Sequence, residues 1–249
     1  MIHALLMRRV WLWKNRLITS LIILLAMPVL IYSIVSLSFK NIMGQSIIGV
    51  PYELWMIPGI AFIISSFGLF PILYRDYFDL RIHKKVLVNI ALAPYRKRVL
   101  VSGYLFVAGI EAILLSIISL FIMSWLVSYP LTWVESLVLL FCLIVYLFIL
   151  GNLFISMGLL FDTQTTLFLI TATTFVFILF GNGFLIEFDF FPLNIGTLLS
   201  WQPLSIPFQV FQIFFRTGVL NWPLLVGSIV LGILWTFANT IILKRRLIQ

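Results

Sequence analysis

The sequence predicts an all-α integral membrane protein built as a bundle of six transmembrane helices, and three observations carry that prediction. Hydrophobic residues make up 63% of the chain against 10% charged, and mean hydropathy is +1.18, far outside the balance of soluble domains. Apolar runs of about 20 residues, the length that crosses a bilayer core of about 30 Å as a helix, recur along the whole chain. The basic residues gather in three segments beside those runs. The runs are continuous and do not alternate with period two, which argues against a transmembrane β-barrel.

The expected spans are Leu17 to Phe39, Leu54 to Tyr74, Leu100 to Val127, Val134 to Leu160, Thr166 to Ile186 and Trp222 to Leu243. Between the last two, Pro192, Pro203 and Pro207 interrupt a stretch that is too broken for an ordinary spanning helix and too apolar for an aqueous loop. Short helices dipping partway into the membrane are expected there. The basic, then apolar, N-terminus resembles a signal peptide, but its apolar run is too long and no small-residue cleavage site follows, so a retained first helix is expected.

Orientation follows from charge. Of the 16 basic residues, all but Lys40 and Arg216 fall before the first span, in the connection between the second and third, or at the end of the last. The middle connection alone holds Arg75, Arg81, Lys84, Lys85, Arg96, Lys97 and Arg98. The positive-inside rule then places both termini in the cytoplasm of a multi-pass protein of the cell inner or plasma membrane. The net charge of +8 is explained by this topology and by anionic lipid headgroups, with no nucleic-acid partner required. Trp55, Trp125, Trp133, Trp201 and Trp222 fall near the expected interfaces, as belt anchors do.

Before the first span, helical spacing puts Ile2, Leu6, Val10 and Trp13 on one side and Arg8 and Arg16 away from them. This pattern fits a helix in the cytoplasmic interface, with Trp11 and Trp13 at headgroup depth and Arg8, Arg9 and Arg16 toward lipid phosphate or a partner. In the second connection no Gly or Pro interrupts Asp79 to Ala91, so a short helix is expected, with Arg81, Lys85 and Val88 on one face and Leu80 and Leu87 on another. Pro94 ends it.

Glu111 lies about 13 residues beyond Arg98, or about 20 Å along a helix, well inside the bilayer. Two roles are open to it: lining a translocation path or coupling a conformational change, or a structural carboxylate bonded to a polar residue of another span such as Asn152. Cys142, the lone cysteine, is expected to pack within the fourth span. His3 and His83 are the only histidines and fall in separate basic segments, so neither a metal site nor a catalytic set is expected.

An interfacial helix, six spans, Pro58-Gly59 in "PGIAFI", the loop "YRDYFDLRIHKKVLVNIALAPYRKRVL" with Arg75-Asp76 and Ala93-Pro94, and the segment "FFPLNIGTLLSWQPLSIPFQVFQIFFR" together resemble the membrane subunits of type-2 ABC exporters. The match covers essentially the full chain. It departs at Asp79-Leu80-Arg81-Ile82-His83, where the family often reads acidic-Gly-Thr-Leu-Glu. The resemblance implies one transmembrane domain over residues 1–249, with 1–16 an interface helix, 75–99 a cytoplasmic coupling loop and 187–221 an outer segment of re-entrant helices.

It further implies that Arg75, Asp76, Arg81, His83, Lys84, Lys85, Val88 and Asn89 meet an ATPase. The chain has no Gly-x-x-x-x-Gly-Lys-Ser/Thr loop to cradle nucleotide phosphates, so ATP and Mg would sit on a separate cytoplasmic ABC ATPase, present in two copies. A second copy or relative of this subunit would complete the path, and the cargo would be a lipid-linked glycan or polysaccharide, or a lipid-like drug. The alternative is a secondary transporter or channel without an ATPase, which calls for more charges inside the spans than Glu111 alone.

Overall fold

The computed structural model describes residues 2–15, 17–39, 52–87, 90, 96–126, 131–192 and 194–248, and every regular element among them is helical. Helix α1 covers Ile2–Asn15 and α2 covers Leu17–Phe39. Helix α3 covers Tyr52–Leu73 and passes into a π-helical turn, Tyr74–Asp79, and a last turn, Leu80–Ile82. The bundle continues with α4 (Lys97–Leu126), α5 (Trp133–Leu160) and α6 (Gln164–Gly181). Two shorter helices, α7 (Ile195–Ser200) and α8 (Ile206–Thr217), precede α9 (Trp222–Ile248).

Among the described residues, five helical stretches are long and apolar enough to cross a membrane: Trp55–Ile82, Lys97–Leu126, Trp133–Leu160, Gln164–Gly181 and Trp222–Arg246. The described apolar part of α2 is shorter, Leu25–Val35. Burial ranks them. The apolar windows of α3 and α5 are 78% and 67% buried, against 33%, 28% and 22% for α4, α9 and α6, so α3 and α5 form the centre and the others the rim. Cys142 lies in α5, buried and unpaired by any disulfide.

Local chemistry sets several boundaries. Thr132 caps α5 in a reciprocal box: its hydroxyl accepts from the Glu135 amide at 3.3 Å while the Glu135 carboxylate accepts from the Thr132 amide at 2.7 Å. Gly218, in the left-handed region at φ 69°, closes α8. Inside the bundle, Asn152 and Asn239 join α5 to α9: the Asn239 amide donates to the Asn152 side-chain oxygen at 3.1 Å, and Ser156 donates to Asn239 at 2.7 Å. Trp235 donates to Ser156 at 2.8 Å and Thr236 to Asn152 at 3.1 Å.

The structure differs from expectation in three places. The connection does not begin at Arg75; the helix runs on to Ile82 through the π turn, where the Leu80 amide reaches back five residues to the Arg75 carbonyl. A single helix from Asp79 to Ala91 does not form. Lys85 takes a left-handed backbone, φ 51°, the conformation in which helices commonly end at glycine, and the Val86 amide reaches back six residues to the Leu80 carbonyl. The absence of Gly concealed this stop; Val88, Asn89, Ala91, Ala93 and Pro94 lie outside the described residues.

The third difference concerns the fifth span, which ends at Gly181 rather than Ile186. Residues 182–187 are non-helical, yet Asn182, Phe184, Leu185 and Glu187 are buried. Phe184 packs with Phe62 of α3, Tyr146 of α5 and Phe208 of α8 at ring separations of 5.2, 5.5 and 4.9 Å. Gly59 makes room: a Cβ there would lie 2.1 Å from the Phe184 carbonyl oxygen. Trp55, expected as a belt residue, is instead 4% exposed and set edge-on to Phe208, because this inserted segment brings α8 against the start of α3.

Candidate functional site: three acids at the basic end of the bundle

Asp76, Asp79 and Asp162 stand among the basic segments, and each gathers cations from elements distant in sequence or from its own turn. Alternation of the helices brings the ends of α3, α5 and α9 and the start of α6 to the same end of the bundle.

Asp76 is the most buried of the three, its side chain 4% exposed. The wide π turn places Asp76, Tyr77 and Phe78 all inward, which a regular helical turn at these three consecutive positions would not do. Gly158 of α5 accommodates the turn, since a Cβ there would meet the Tyr77 Cβ at 3.0 Å. Three guanidinium groups face Asp76: Arg75 at 3.0 Å, Arg9 at 3.4 Å and Arg8 at 4.0 Å.

Arg9 also reaches α4, where its Nε lies 3.6 Å from Glu111, and the Trp13 indole N–H donates to the same carboxylate at 2.7 Å. Arg9 and Trp13 therefore tie α1 to both α3 and α4. Burial pushes the Arg9 guanidinium down from its ordinary value, while Glu111 and then Asp76 pull it back up. An arginine stays charged throughout the physiological range, so Arg9 carries its charge between the two carboxyl groups.

Asp162, in the turn between α5 and α6, holds a second clasp. Arg81 approaches it at 2.9 Å and donates to the Phe161 carbonyl, while Arg246 of α9 lies 3.4 Å from Asp162 and donates to the Leu160 carbonyl at 2.9 Å. Nearby, Arg98 at the start of α4 sits 3.6 Å from the ring centre of Phe237 in α9. Asp79 takes Lys84 at 3.1 Å and the His83 ring at 3.3 Å.

These contacts divide the residues expected to act together. Arg75 and Asp76 belong to the α1 bridge, Arg81 to the Asp162 clasp, and His83 and Lys84 fold back on Asp79. Lys85 is exposed, and Val88, Asn89 and Arg16 lie outside the described residues. Within α1, Trp11 is 64% exposed, whereas Arg9 and Trp13 turn inward to Asp76 and Glu111 rather than outward. Glu111 has no bond to Asn152; its partners are on α1, because Asn152 is taken up by α9.

Asp162 and Asn239 were not singled out by sequence reasoning. The available signal for Asp162 was a carboxylate on the side rich in arginine and lysine. Among the described residues no three His, Cys, Asp or Glu side chains come together to hold a metal ion. Comparisons with protein-family models, with curated proteins and with solved structures find no match to this chain.

Proposed function

We propose that the chain is the membrane subunit of an ATP-driven type-2 ABC exporter, with six spans, both termini cytoplasmic, working with two ATPase subunits and a second membrane subunit. The observation that carries this reading is the bridge from Arg9 to Asp76 and Glu111. It joins the π turn that follows α3 and the middle of α4, the two helices on either side of the basic connection, to the N-terminal helix, so force on that connection reaches three elements together. A passive loop that merely set topology would need no such joint.

In this mechanism, closure of the ATPases on ATP and Mg pushes on the segment from Arg81 to Asn89. The push tilts α3 and α4 and opens the seam between two membrane subunits, and a lipid-linked glycan or lipid-like drug leaves outward. The mechanism needs no nucleophile from the chain. Its contribution is mechanical, and the Asp162 clasp ties α9 and the α5–α6 turn into the same moving end.

Crosslinking tests this directly. A cysteine placed at Lys85, exposed at the turn, is expected to crosslink to a cytoplasmic P-loop ATPase when the full chain is isolated from its native membrane. A chain that never captures or co-purifies with any ATPase, yet moves cargo in vesicles, is a secondary transporter or channel instead.

A further inference from the structure

The start of α1 with α4 and α5 forms an apolar groove of about 470 Å³, lined by Ile2, Leu105, Phe106, Gly109, Ile113 and Ile144 and with the Ser102 hydroxyl at one end. Phe106 and Ile144 are exposed, so the groove opens sideways onto the apolar flank of the bundle. A Cβ on Gly109 would meet nothing within 4 Å, which leaves the α4 backbone as an open floor. From Ser102 to Ile113 the groove follows α4 for about 16 Å.

This groove leads to a cation. Arg98, Ser102, Leu105 and Gly109 follow one another at intervals of four, three and four residues, so they share a face of α4 and Arg98 stands one turn before the groove, at the basic end. Arg8, Arg9, Arg75, Arg81 and Arg246 each face a carboxylate. Arg98 lies over the Phe237 ring instead, is exposed, and pairs with no carboxylate among the described residues. A guanidinium held over a ring keeps its N–H donors in its own plane, where they can meet a phosphate.

We propose that the groove holds an anionic phospholipid from the leaflet at the basic end, with one acyl chain along α4 past Gly109 and the phosphate on Arg98. A long apolar slot ending in one cation has the polarity order of such a lipid. A zwitterionic headgroup would set its ammonium beside the arginine, so net negative charge is preferred. A second copy of this chain would bring the same excess of positive charge to that end and is disfavoured as the occupant. The inference rests on the helical, membrane-compatible character of the chain and not on the exporter reading.

The test is native mass spectrometry of the full chain in mild detergent, titrated with phosphatidylglycerol and phosphatidylcholine carrying the same acyl chains. Wild type is expected to bind phosphatidylglycerol about fivefold more tightly, the increment of one arginine at an anionic headgroup. Arg98→Gln should abolish that preference, and Arg96→Gln, exposed just ahead of α4, should keep it. Gly109→Leu fills the groove and should weaken both lipids about tenfold, as displacing roughly two methylene groups does. Unchanged thermal melting identifies the variants that report binding rather than folding, and the Arg98→Gln comparison stands without Gly109→Leu.

Equal affinity of wild type for the two lipids, a preference that survives Arg98→Gln, or one lost equally in Arg96→Gln overturns the proposal. So does a dimer in the same spectra that Gly109→Leu dissociates, which would make a second copy the occupant. None of these outcomes touches the Lys85 crosslink, and absence of an ATPase partner leaves lipid binding measurable.

Discussion

Lys85 holds a left-handed backbone, φ 51°, where a residue with a Cβ is disfavoured by roughly 1–2 kcal/mol. Lys85→Gly is therefore expected to raise stability by about 1 kcal/mol, seen as a higher melting temperature in mild detergent. Gly59 is the opposite case. A Cβ 2.1 Å from the Phe184 carbonyl must displace backbone, so Gly59→Ala is expected to cost about 2 kcal/mol or more in the same measurement. At Glu111, a Gln retains the oxygen that accepts the Trp13 indole and loses only the charge facing Arg9, which keeps Asp76. Glu111→Gln should melt within about 2 kcal/mol of wild type and export normally. Lost export with intact stability would instead give Glu111 a working role, lining the path or coupling the conformational change.

Between elements, α5 and α9 are joined by a buried polar set in which Asn239 donates to Asn152 and accepts from Ser156. Asn239→Leu leaves those partners unmatched away from water and is expected to cost about 1–3 kcal/mol. A double substitution with Asn152→Leu should cost less than the two single losses added together, as a double-mutant cycle by thermal unfolding would show. The Asp162 clasp differs, because Asp162 is 57% exposed. Asp162→Ala should lower stability by no more than about 1 kcal/mol while speeding hydrogen exchange at the end of α9.

Across the whole molecule, α1 is held to the bundle by the polar contacts of Arg9 and Trp13 and by Leu5, which packs against the core, while Met7, Val10 and Trp11 face outward. Replacing both, Arg9→Ala with Trp13→Phe, should expose α1 to limited proteolysis before the rest of the chain unfolds. In the exporter, the same variant should keep ATPase binding and lose coupling between ATP turnover and transport. Helical class and the approximate limits of α4, α5 and α9 were legible in the sequence, because continuous apolar runs report on burial or lipid regardless of neighbours. The ends of α3 and α6 were less so. Arg75 to Asp79 read as loop from its charges, yet Arg8 and Arg9, more than sixty residues away, make it affordable to bury Asp76 there.

Composition and charge placement by themselves determined that this is a helical, membrane-compatible chain with one strongly basic end, since those properties are sums over local residues. Pairing was decided only by tertiary structure: Glu111 with Arg9 and Trp13 rather than Asn152, Arg81 with Asp162, and Phe184 against Gly59. The physical reason is that a carboxylate or a small residue marks a place where something must approach, while the approaching group is chosen by how the helices pack.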